Sequence, residues 1–223
     1  MHRYGAHKMF TLSRGMEKFF FLLSYVSQGS SYLSPRAYAI LHRMHHAYSD
    51  TDKDPHSPHN SGNIFSMMME TKKIYQSYAK DIVKPEVKFE KNLPHWPALD
   101  RFADSWFSRL SFVALYIAFY VHFVPRGSEW LYLFLPIHFL IGPIQGAVVN
   151  WFGHKVGYRN FPEEDHSVNT LIIDILLLGE LFQNNHHHAP ARANFAMKWY
   201  EFDPIYPIIK VFSWLGIVKM SIN

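Results

Sequence analysis

Two long apolar segments dominate the hydropathy pattern of the chain. The first runs from Trp106 to Val124 and the second from Trp130 to Asn150. Each has roughly the 20 residues that a helix needs to cross the hydrocarbon core of a bilayer. The only break between them is the short polar stretch 125–129. The pattern predicts a transmembrane hairpin at about 106–150 in an all-α, integral membrane protein.

A pair of buried helices in a soluble protein would give a similar apolar pattern. Arg109, His138 and Gln145 lie within the two segments and favour that alternative. Trp106 and Trp130, in contrast, stand at segment ends, where aromatic rings commonly anchor a span at the membrane interface. We therefore expect the two segments to span a membrane.

Shorter patterns precede the hairpin. The apolar run Phe19–Leu23 is too short to cross a bilayer and predicts a buried or membrane-surface helix. Pro35 is suited to the first turn of a helix that continues through Leu41. Residues 49–60 are polar and contain two prolines, which is typical of a loop.

The rest of the chain divides into four further segments. A helix is expected from about Ile64 to Ala79, and a charged, proline-bearing, solvent-facing segment from Lys80 to Arg101. After the hairpin, the short apolar run from Leu171 to Phe182 predicts a helix that enters the functional site without crossing the membrane. The segment from Ile205 to Val218 has the composition of an amphipathic interfacial helix.

The basic residues around the hairpin indicate its orientation. A hairpin returns the chain to the side from which it entered, so the segments before and after it share one side. Within the intervening turn the only basic residue is Arg126. Cytoplasmic flanks of membrane spans are enriched in Lys and Arg. The flanks here are the basic side, which predicts that they are cytoplasmic; their basic residues are Lys72, Lys73, Lys84, Lys91, Arg101, Lys155 and Arg159.

Composition adds three constraints. The 223 residues suit a single domain, 1–223, and the chain has 15 histidines but no cysteine. Disulfides, thiolate zinc sites and iron–sulfur clusters are therefore excluded within this sequence. A net charge of +4 would suit nucleic acid, anionic lipid or a phosphorylated substrate. We favour lipid over nucleic acid, because no nucleic-acid-binding motif accompanies the charge.

No cleavable signal peptide is recognisable, and His2 lies so near the start that the natural protein is expected to begin further upstream.

Histidines are grouped at helical spacing. His42, His45 and His46 form an HxxHH pattern, which places three imidazoles on one side of a helix because residues three and four apart share a face. A surface helix without any ligand role could carry one such pattern. The register recurs, however, in Gln183, His186 and His187, and His2 and His7 form a further HxxxxH pair. Imidazole suits iron, zinc, copper or nickel, and the number of nitrogens implies two ions.

These motifs together resemble the membrane fatty acid desaturases, in particular the acyl-CoA desaturase group. The resemblance covers nearly the whole chain and extends to segments beyond the histidine boxes. Those segments are Asp50-Thr51-Asp52-Lys53-Asp54-Pro55-His56, Asn150 with His154 and Gly157, Gly179-Glu180, and Trp199-Tyr200-Glu201-Phe202-Asp203-Pro204.

The resemblance implies a function and a ligand set. Such enzymes use two irons, dioxygen as co-substrate and externally supplied electrons to insert a cis double bond into a fatty acyl chain, here an acyl-CoA or another acyl thioester. The electrons would come from a separate donor, either a ferredoxin or a b-type cytochrome with its reductase. The expected direct iron ligands are His2, His7, His42, His45, His46, His154, His186 and His187, with Gln183 at a further ligand position and Asn150 acting through a bound water.

Two features depart from the family pattern. Gln183 stands where histidine is more common, and an amide oxygen is a weaker, harder ligand than an imidazole. The family also normally has roughly two further spans before the first histidine box, whereas here that box begins at His2.

Asp50, Asp52 and Asp54 are expected to orient the histidines of the second box. His56, His59, His95 and His166 are expected to be ordinary loop residues, and His188 falls outside the register of the third box.

Three alternative functions remain open. A hydroxylase or related oxygenase could use the same histidine scaffold, because the first hydrogen abstraction is common to both reactions. A non-catalytic membrane protein that stores or moves metal ions would also be rich in histidine. An inactive desaturase fragment is the third. Ion transport is disfavoured, because the polar residues gather at one end of the spans.

Overall fold

The fold is predominantly helical, as the sequence predicts. The computed structural model describes residues 1–221. Ten α-helices are present in that part of the chain, together with one π-helical turn, His2–Ala6, two 3₁₀ turns and two short strands. The helices are α1 (Arg14–Gln28), α2 (Pro35–Tyr48), α3 (Ile64–Ala79), α4 (Val87–Glu90), α5 (Pro97–Ala103), α6 (Trp106–Phe123), α7 (Leu135–Phe139), α8 (Ile141–Phe152), α9 (Gln183–His188) and α10 (Ile205–Trp214).

Several predicted boundaries are confirmed. Pro35 begins α2, and α3 starts at Ile64 behind a capping box in which Asn63 and Ser66 bond reciprocally to each other's backbone N–H. The polar loop between these helices is also present, although residues 54–58 within it are buried. An all-helical chain was expected, but β1 (Phe10–Leu12) and β2 (Val218–Met220) pair antiparallel and join the two ends of the described chain.

Helix α2 is packed on its apolar face and carries histidine on the opposite one. Ala37, Ile40 and Leu41 form a buried cluster with Tyr78 of α3 and Phe89 of α4. The prediction that 80–101 is wholly solvent-facing is therefore wrong, because Phe89 is 4% exposed and covers this face of α2. The helical period leaves the histidines of α2 turned towards the opposite side.

The second apolar segment differs from the prediction. Helix α6 is long and apolar enough to cross a membrane, and only 11% of it is buried. The stretch Glu129–Phe139 is followed by α8 at an angle of 74°, so it forms a bent pair where a straight span was expected. Pro136 lies at the start of α7 and Leu140 separates α7 from α8. Among residues 1–221, α6 is the one single helix with the length and apolar composition of a membrane span. A second span is present if the bent pair is counted as a single broken span.

The predicted helix from Leu171 to Phe182 is wrong. This segment is a series of turns, in which the side chain of Asp174 accepts backbone hydrogen bonds from Leu177 and Leu181. A backbone bridge also joins Ile173 to Phe202. An aspartate that bonds to nearby backbone N–H groups favours turns over helix. The helix predicted from Ile205 to Val218 is present as α10, but it ends at Trp214.

Candidate metal centre

Four segments bring the predicted histidines together. The π-helical turn supplies His2, and His7 follows directly at its C-terminal end. Helix α2 supplies His42, His45 and His46. His154 lies just beyond α8, and α9 supplies His186 and His187. All eight converge in the interior in two adjacent groups, one of five and one of three.

The five-histidine group consists of His2, His7, His42, His46 and His186. Every close contact in it joins Nε2 atoms. The Nε2 of His42 lies 2.8 Å from that of His2, 2.7 Å from that of His7 and 3.0 Å from that of His46. The Nε2 of His186 lies 3.0 Å from that of His2 and 2.9 Å from that of His46.

These separations fit ligands of one ion better than hydrogen bonds. A neutral imidazole has a single N–H, so five converging Nε2 atoms cannot all be satisfied by one another. His2 illustrates this, because its Nδ1 is paired with the Glu180 carboxylate, which leaves a lone pair on Nε2. Nitrogens that share one ion at about 2.1 Å lie roughly 3 Å apart. The donor set therefore fits a first-row transition metal.

The three-histidine group consists of His45, His154 and His187. The Nε2 atoms of His45 and His187 are 3.2 Å apart, and the ring of His154 lies 4.9 Å and 5.0 Å from theirs between centroids. The Nε2 of His154 is fully buried and has no hydrogen-bond partner within the described residues. Such an orphaned nitrogen is costly unless a metal or water satisfies it.

A different aspartate holds each ring of the three-histidine group. Asp54 lies 2.8 Å from Nδ1 of His45, Asp50 lies 2.9 Å from Nδ1 of His154, and Asp165 lies 2.5 Å from Nδ1 of His187. Each pair places the ring N–H on Nδ1 and leaves the lone pair on Nε2. This is the arrangement that orients metal-binding histidines in proteins.

Burial favours the neutral form of six of the eight imidazoles, and the neutral form is the one that binds metal. Desolvation is the main cause that lowers the pKa of His7, His42, His45, His46, His186 and His187 below the ordinary value. For Asp165, burial alone would raise the pKa, but hydrogen bonds from the His187 ring and from Ser167 lower it overall. The pKa of Asp50 is lowered in the same way by His154 and Ser57.

The two predicted amide ligands lie near the turn that carries His154, Gln183 in space and Asn150 along the chain. Gln183 is 3% exposed, and its Nε2 donates a hydrogen bond of 2.6 Å to the carbonyl oxygen of Glu180. That bond fixes the amide so that its oxygen is the end available to a ligand. Its Cγ would lie only 2.4 Å from a Cβ at Gly153, so Gln183 packs directly against the turn that carries His154. Asn150 is half-buried in the last turn of α8, four residues before His154, and its side chain makes no hydrogen bond within residues 1–221.

Sequence reasoning assigned some neighbours of the site incorrectly. Asp52 is exposed and orients no histidine, whereas Asp165 and Glu180 do. Asp165 follows two glutamates in a polar loop, and no periodic pattern distinguishes it. His56 belongs to the predicted loop but is 7% exposed, with its ring centroid 4.4 Å from that of His45. With His45 and Asp54 it forms a third group of close ligand atoms.

A surface cleft reaches the five-histidine group from one side. It has a volume of about 480 Å³ and is lined by His7, His46, Arg43 and Phe89, among others. In the three-histidine group, His45 and His154 are no more than 2% exposed, whereas His187 is half-buried. The cleft gives small molecules a route to His7 and His46 of the five-histidine group.

Comparison with known proteins supports this chemistry. Residues 1–213 match the model of a family described as fatty acid desaturase. The chain belongs to the fatty acid desaturase family. Several curated proteins similar to this desaturase-family chain are named desaturases, which are oxidoreductases, and the chain is therefore placed among enzymes of that class.

Three relatives illustrate the match. An sn-1 stearoyl-lipid 9-desaturase from Anabaena variabilis is 28% identical over 97% of this chain and 74% of the relative. An acyl-CoA C20 Delta5-desaturase from Anemone leveillei is 28% identical over 97% of this chain and 65% of the relative. A Delta-9 desaturase-like 5 protein from Arabidopsis thaliana is 27% identical over 97% and 68%. The chain thus spans between 65% and 74% of the length of these relatives.

Proposed function

We propose that this chain carries the di-iron centre of a membrane fatty acid desaturase. The reaction would introduce a cis double bond into a fatty acyl chain, presented as acyl-CoA or another acyl thioester, with dioxygen as co-substrate. The observation that carries this proposal is the pair of adjacent histidine groups whose Nε2 atoms converge on two centres. Family membership supplies the reaction class.

The proposed ligand assignment follows the two groups. His2, His7, His42, His46 and His186 would hold one iron. His45, His154 and His187 would hold the other, with the Gln183 amide oxygen as an additional ligand and Asn150 acting through a bound water. The two irons would then be inequivalent, because one has only imidazole ligands and the other includes a weaker amide oxygen.

The chain's own residues prepare the centre. The bound irons would supply the oxidising chemistry, using dioxygen and electrons to remove two hydrogens from an unactivated acyl chain. Reduction of dioxygen to two waters in that reaction requires two further electrons and two protons. We propose that the electrons come from a separate ferredoxin, or from a b-type cytochrome with its reductase. Asp50, Asp54 and Asp165 would keep their histidines in the ligating tautomer throughout.

The site would lie at a membrane surface, on the cytoplasmic side. Helix α6 and the bent pair formed by Glu129–Phe139 and α8 would make the membrane hairpin. The exposed apolar residues of α6, among them Leu115, Phe119 and Val121, support contact with lipid. The basic flanks of the hairpin support the cytoplasmic orientation of the histidine groups.

A hydroxylase or related oxygenase on the same scaffold is the principal rival, since both reactions begin with the same hydrogen abstraction. The names of the relatives favour desaturation. They differ in the acyl carrier, which is a lipid in the Anabaena variabilis protein and coenzyme A in the Anemone leveillei protein. The carrier proposed here, an acyl thioester, is that of the second.

Product analysis tests the proposed function. Membranes containing the chain, a saturated acyl thioester, dioxygen and a reduced electron donor should yield an unsaturated acyl product. His187→Ala should abolish it, since a ligand to the three-histidine group is lost. His188→Ala is the matched control and should leave the product unchanged, because His188 is exposed and stacks on Phe161 outside both groups. A hydroxylated product would favour the rival, and absence of any product from folded, iron-loaded protein would refute both.

A further inference from the structure

Helix α9 connects the two histidine groups but cannot be stable by itself. It has only six residues and no side-chain cap at its N-terminus. Isolated helices of this length do not form in water. Nevertheless its consecutive histidines serve different groups, His186 the five-histidine group and His187 the three-histidine group. Contacts elsewhere must therefore fix the position and rotation of α9.

Asn185 provides the strongest of these contacts. It is 0% exposed, and every hydrogen-bonding position of its side-chain amide is used. Its oxygen accepts from the side chains of Asn160, at 2.8 Å, and Asn169, at 2.9 Å. Its nitrogen donates to the Phe195 carbonyl, at 2.9 Å, and to the Glu201 carboxylate, at 2.8 Å. A buried amide with four bonds permits only one orientation of the helix that carries it.

Glu201 is the centre of this network. One carboxylate oxygen accepts from the Tyr158 hydroxyl, at 2.7 Å, and from Asn160, at 2.6 Å. The other accepts from Asn185 and from the backbone N–H groups of Met197 and Lys198, at 2.7 Å and 2.9 Å. Five neutral donors thus hold a carboxylate that is 8% exposed. Burial alone would raise the pKa of Glu201, but these donors lower it overall, so the anion is retained.

Asp203, two residues further on, holds a different ligand-bearing segment. Its carboxylate forms a buried pair with Arg3, with contacts of 2.7 Å and 3.1 Å. Arg3 is the residue next to His2 in the π-helical turn. Asp203 also accepts the backbone N–H groups of Phe195 and Ile205. The Arg3–Asp203 pair therefore fixes the turn that presents His2 to the five-histidine group.

We propose that Glu201 and Asp203 are positioning residues that act on the metal centres by different routes. Glu201 acts through Asn185 on α9 and thereby on both groups. Asp203 acts mainly through Arg3 on His2 and thereby mainly on the five-histidine group. This inference rests on the proposed function only in so far as both groups bind iron. It assigns a role to a segment, Trp199–Pro204, that contains no ligand itself.

Iron binding to whole protein in detergent tests the assignment. Fe(II) should be titrated into chelator-treated protein, with competition by a calibrated chelator and Mössbauer spectra of ⁵⁷Fe to distinguish the two ions. His2→Ala and His154→Ala identify the signals, since each removes a ligand from one group only. Glu201→Gln should weaken the binding of both ions by roughly 10- to 100-fold, and Asp203→Asn should weaken mainly the binding of the ion identified by His2→Ala.

Controls separate positioning from general destabilisation. Tyr32→Phe removes a comparable bond, from the Tyr32 hydroxyl to the Asp100 carboxylate at 2.7 Å, in an apolar cluster that contains no member of either histidine group. It should lower the melting temperature and leave both ions bound. If Glu201→Gln does not fold, Tyr158→Phe removes one of its five donors and should weaken both ions to a smaller extent. If Asp203→Asn does not fold, Arg3→Lys changes the partner of Asp203 instead and should weaken mainly the binding of the ion held by the five-histidine group.

Two results would overturn the proposal. Folded Glu201→Gln or Tyr158→Phe protein that binds both ions as tightly as the wild type would exclude the role of Glu201. Equal weakening of both ions in Asp203→Asn or Arg3→Lys would exclude the separate route assigned to Asp203. If the wild-type protein itself binds fewer than two irons, the proposed function fails instead, and that result is recognisable before any variant is made.

Discussion

At the scale of single residues, three aspartate–histidine pairs define the three-histidine group. Each carboxylate takes Nδ1 of one ring, so that three Nε2 lone pairs face a common centre. Asp50 and Asp54 follow the second histidine box closely, and their roles could be predicted from the sequence. Asp165 lies 22 residues before His187. Only the fold brings these two residues together, which explains why the sequence did not reveal Asp165.

Asp165→Asn should weaken the binding of the metal ion held by the three-histidine group, to which His187 belongs. The amide can still accept a bond from Nδ1, but the negative charge that stabilises the metal-bound imidazole is lost. Such changes typically cost about 10- to 100-fold in metal affinity, and chelator competition would measure the loss. Glu163→Gln is the control from the same loop, because Glu163 bonds the exposed His188. Equal metal affinities in Asp165→Asn and Glu163→Gln protein would contradict the role given to Asp165.

At the scale of elements, helix positions could be predicted from the hydropathy pattern and from Pro35 where no local feature interrupts the helix. Helices α2, α3 and α6 begin where the sequence predicts. The second apolar segment is bent and the segment before α9 is built of turns, because both depend on local features that a hydropathy average ignores. Asp174, for example, bonds to backbone N–H groups and replaces a predicted helix with turns. The position of α9 depends on Asn185 and Glu201, whose contacts are long-range.

The close packing of Gly153, at the end of α8, against Gln183 can be tested by substitution. It ends α8 with no room for a side chain, since a Cβ there would lie 2.4 Å from Cγ of Gln183. Its φ of −64° suits any residue, so Gly153→Ala would act through this collision and through a second one with the Val149 carbonyl oxygen, 2.5 Å away. We expect a loss of about 1–3 kcal/mol in the free energy of unfolding, with loss of metal from the three-histidine group.

Gly146→Ala in the same helix is the matched control. A Cβ at Gly146 meets no atom within 4 Å, so the change should preserve both metals and favour the helix. Melting temperature and metal content of the two variants measure the difference. Retention of both metals in Gly153→Ala would show that Gln183 and His154 can separate without consequence.

At the scale of the whole molecule, the sequence indicated the family, the helical class and the eight histidines that converge. It did not reveal how they divide. The HxxHH spacing places three imidazoles on one side of α2, yet His45 joins a different group from His42 and His46. The division depends on the direction from which the π-helical turn and α9 approach α2. These approaches are fixed by tertiary contacts such as Arg3–Asp203, not by spacing.

The proposed hairpin predicts which residues share a side of the membrane. Cysteines introduced at the exposed positions Asn60 and Glu164, before and after the hairpin, should react with an impermeant reagent only from the cytoplasm. A cysteine at Arg126, in the exposed turn between the segments, should react only from the opposite side. Labelling of intact and opened cells distinguishes these cases. Reaction of Asn60 and Glu164 positions from opposite sides would exclude the hairpin.

The iron content of the purified protein tests the central claim most directly. Protein from iron-replete cells should carry two irons per chain, in two distinguishable environments, because five imidazoles converge on one centre and three on the other. His188→Ala should retain both irons, since this exposed histidine belongs to neither group. Folded, full-length protein that binds a single metal ion, or only zinc at one site, would contradict the di-iron account.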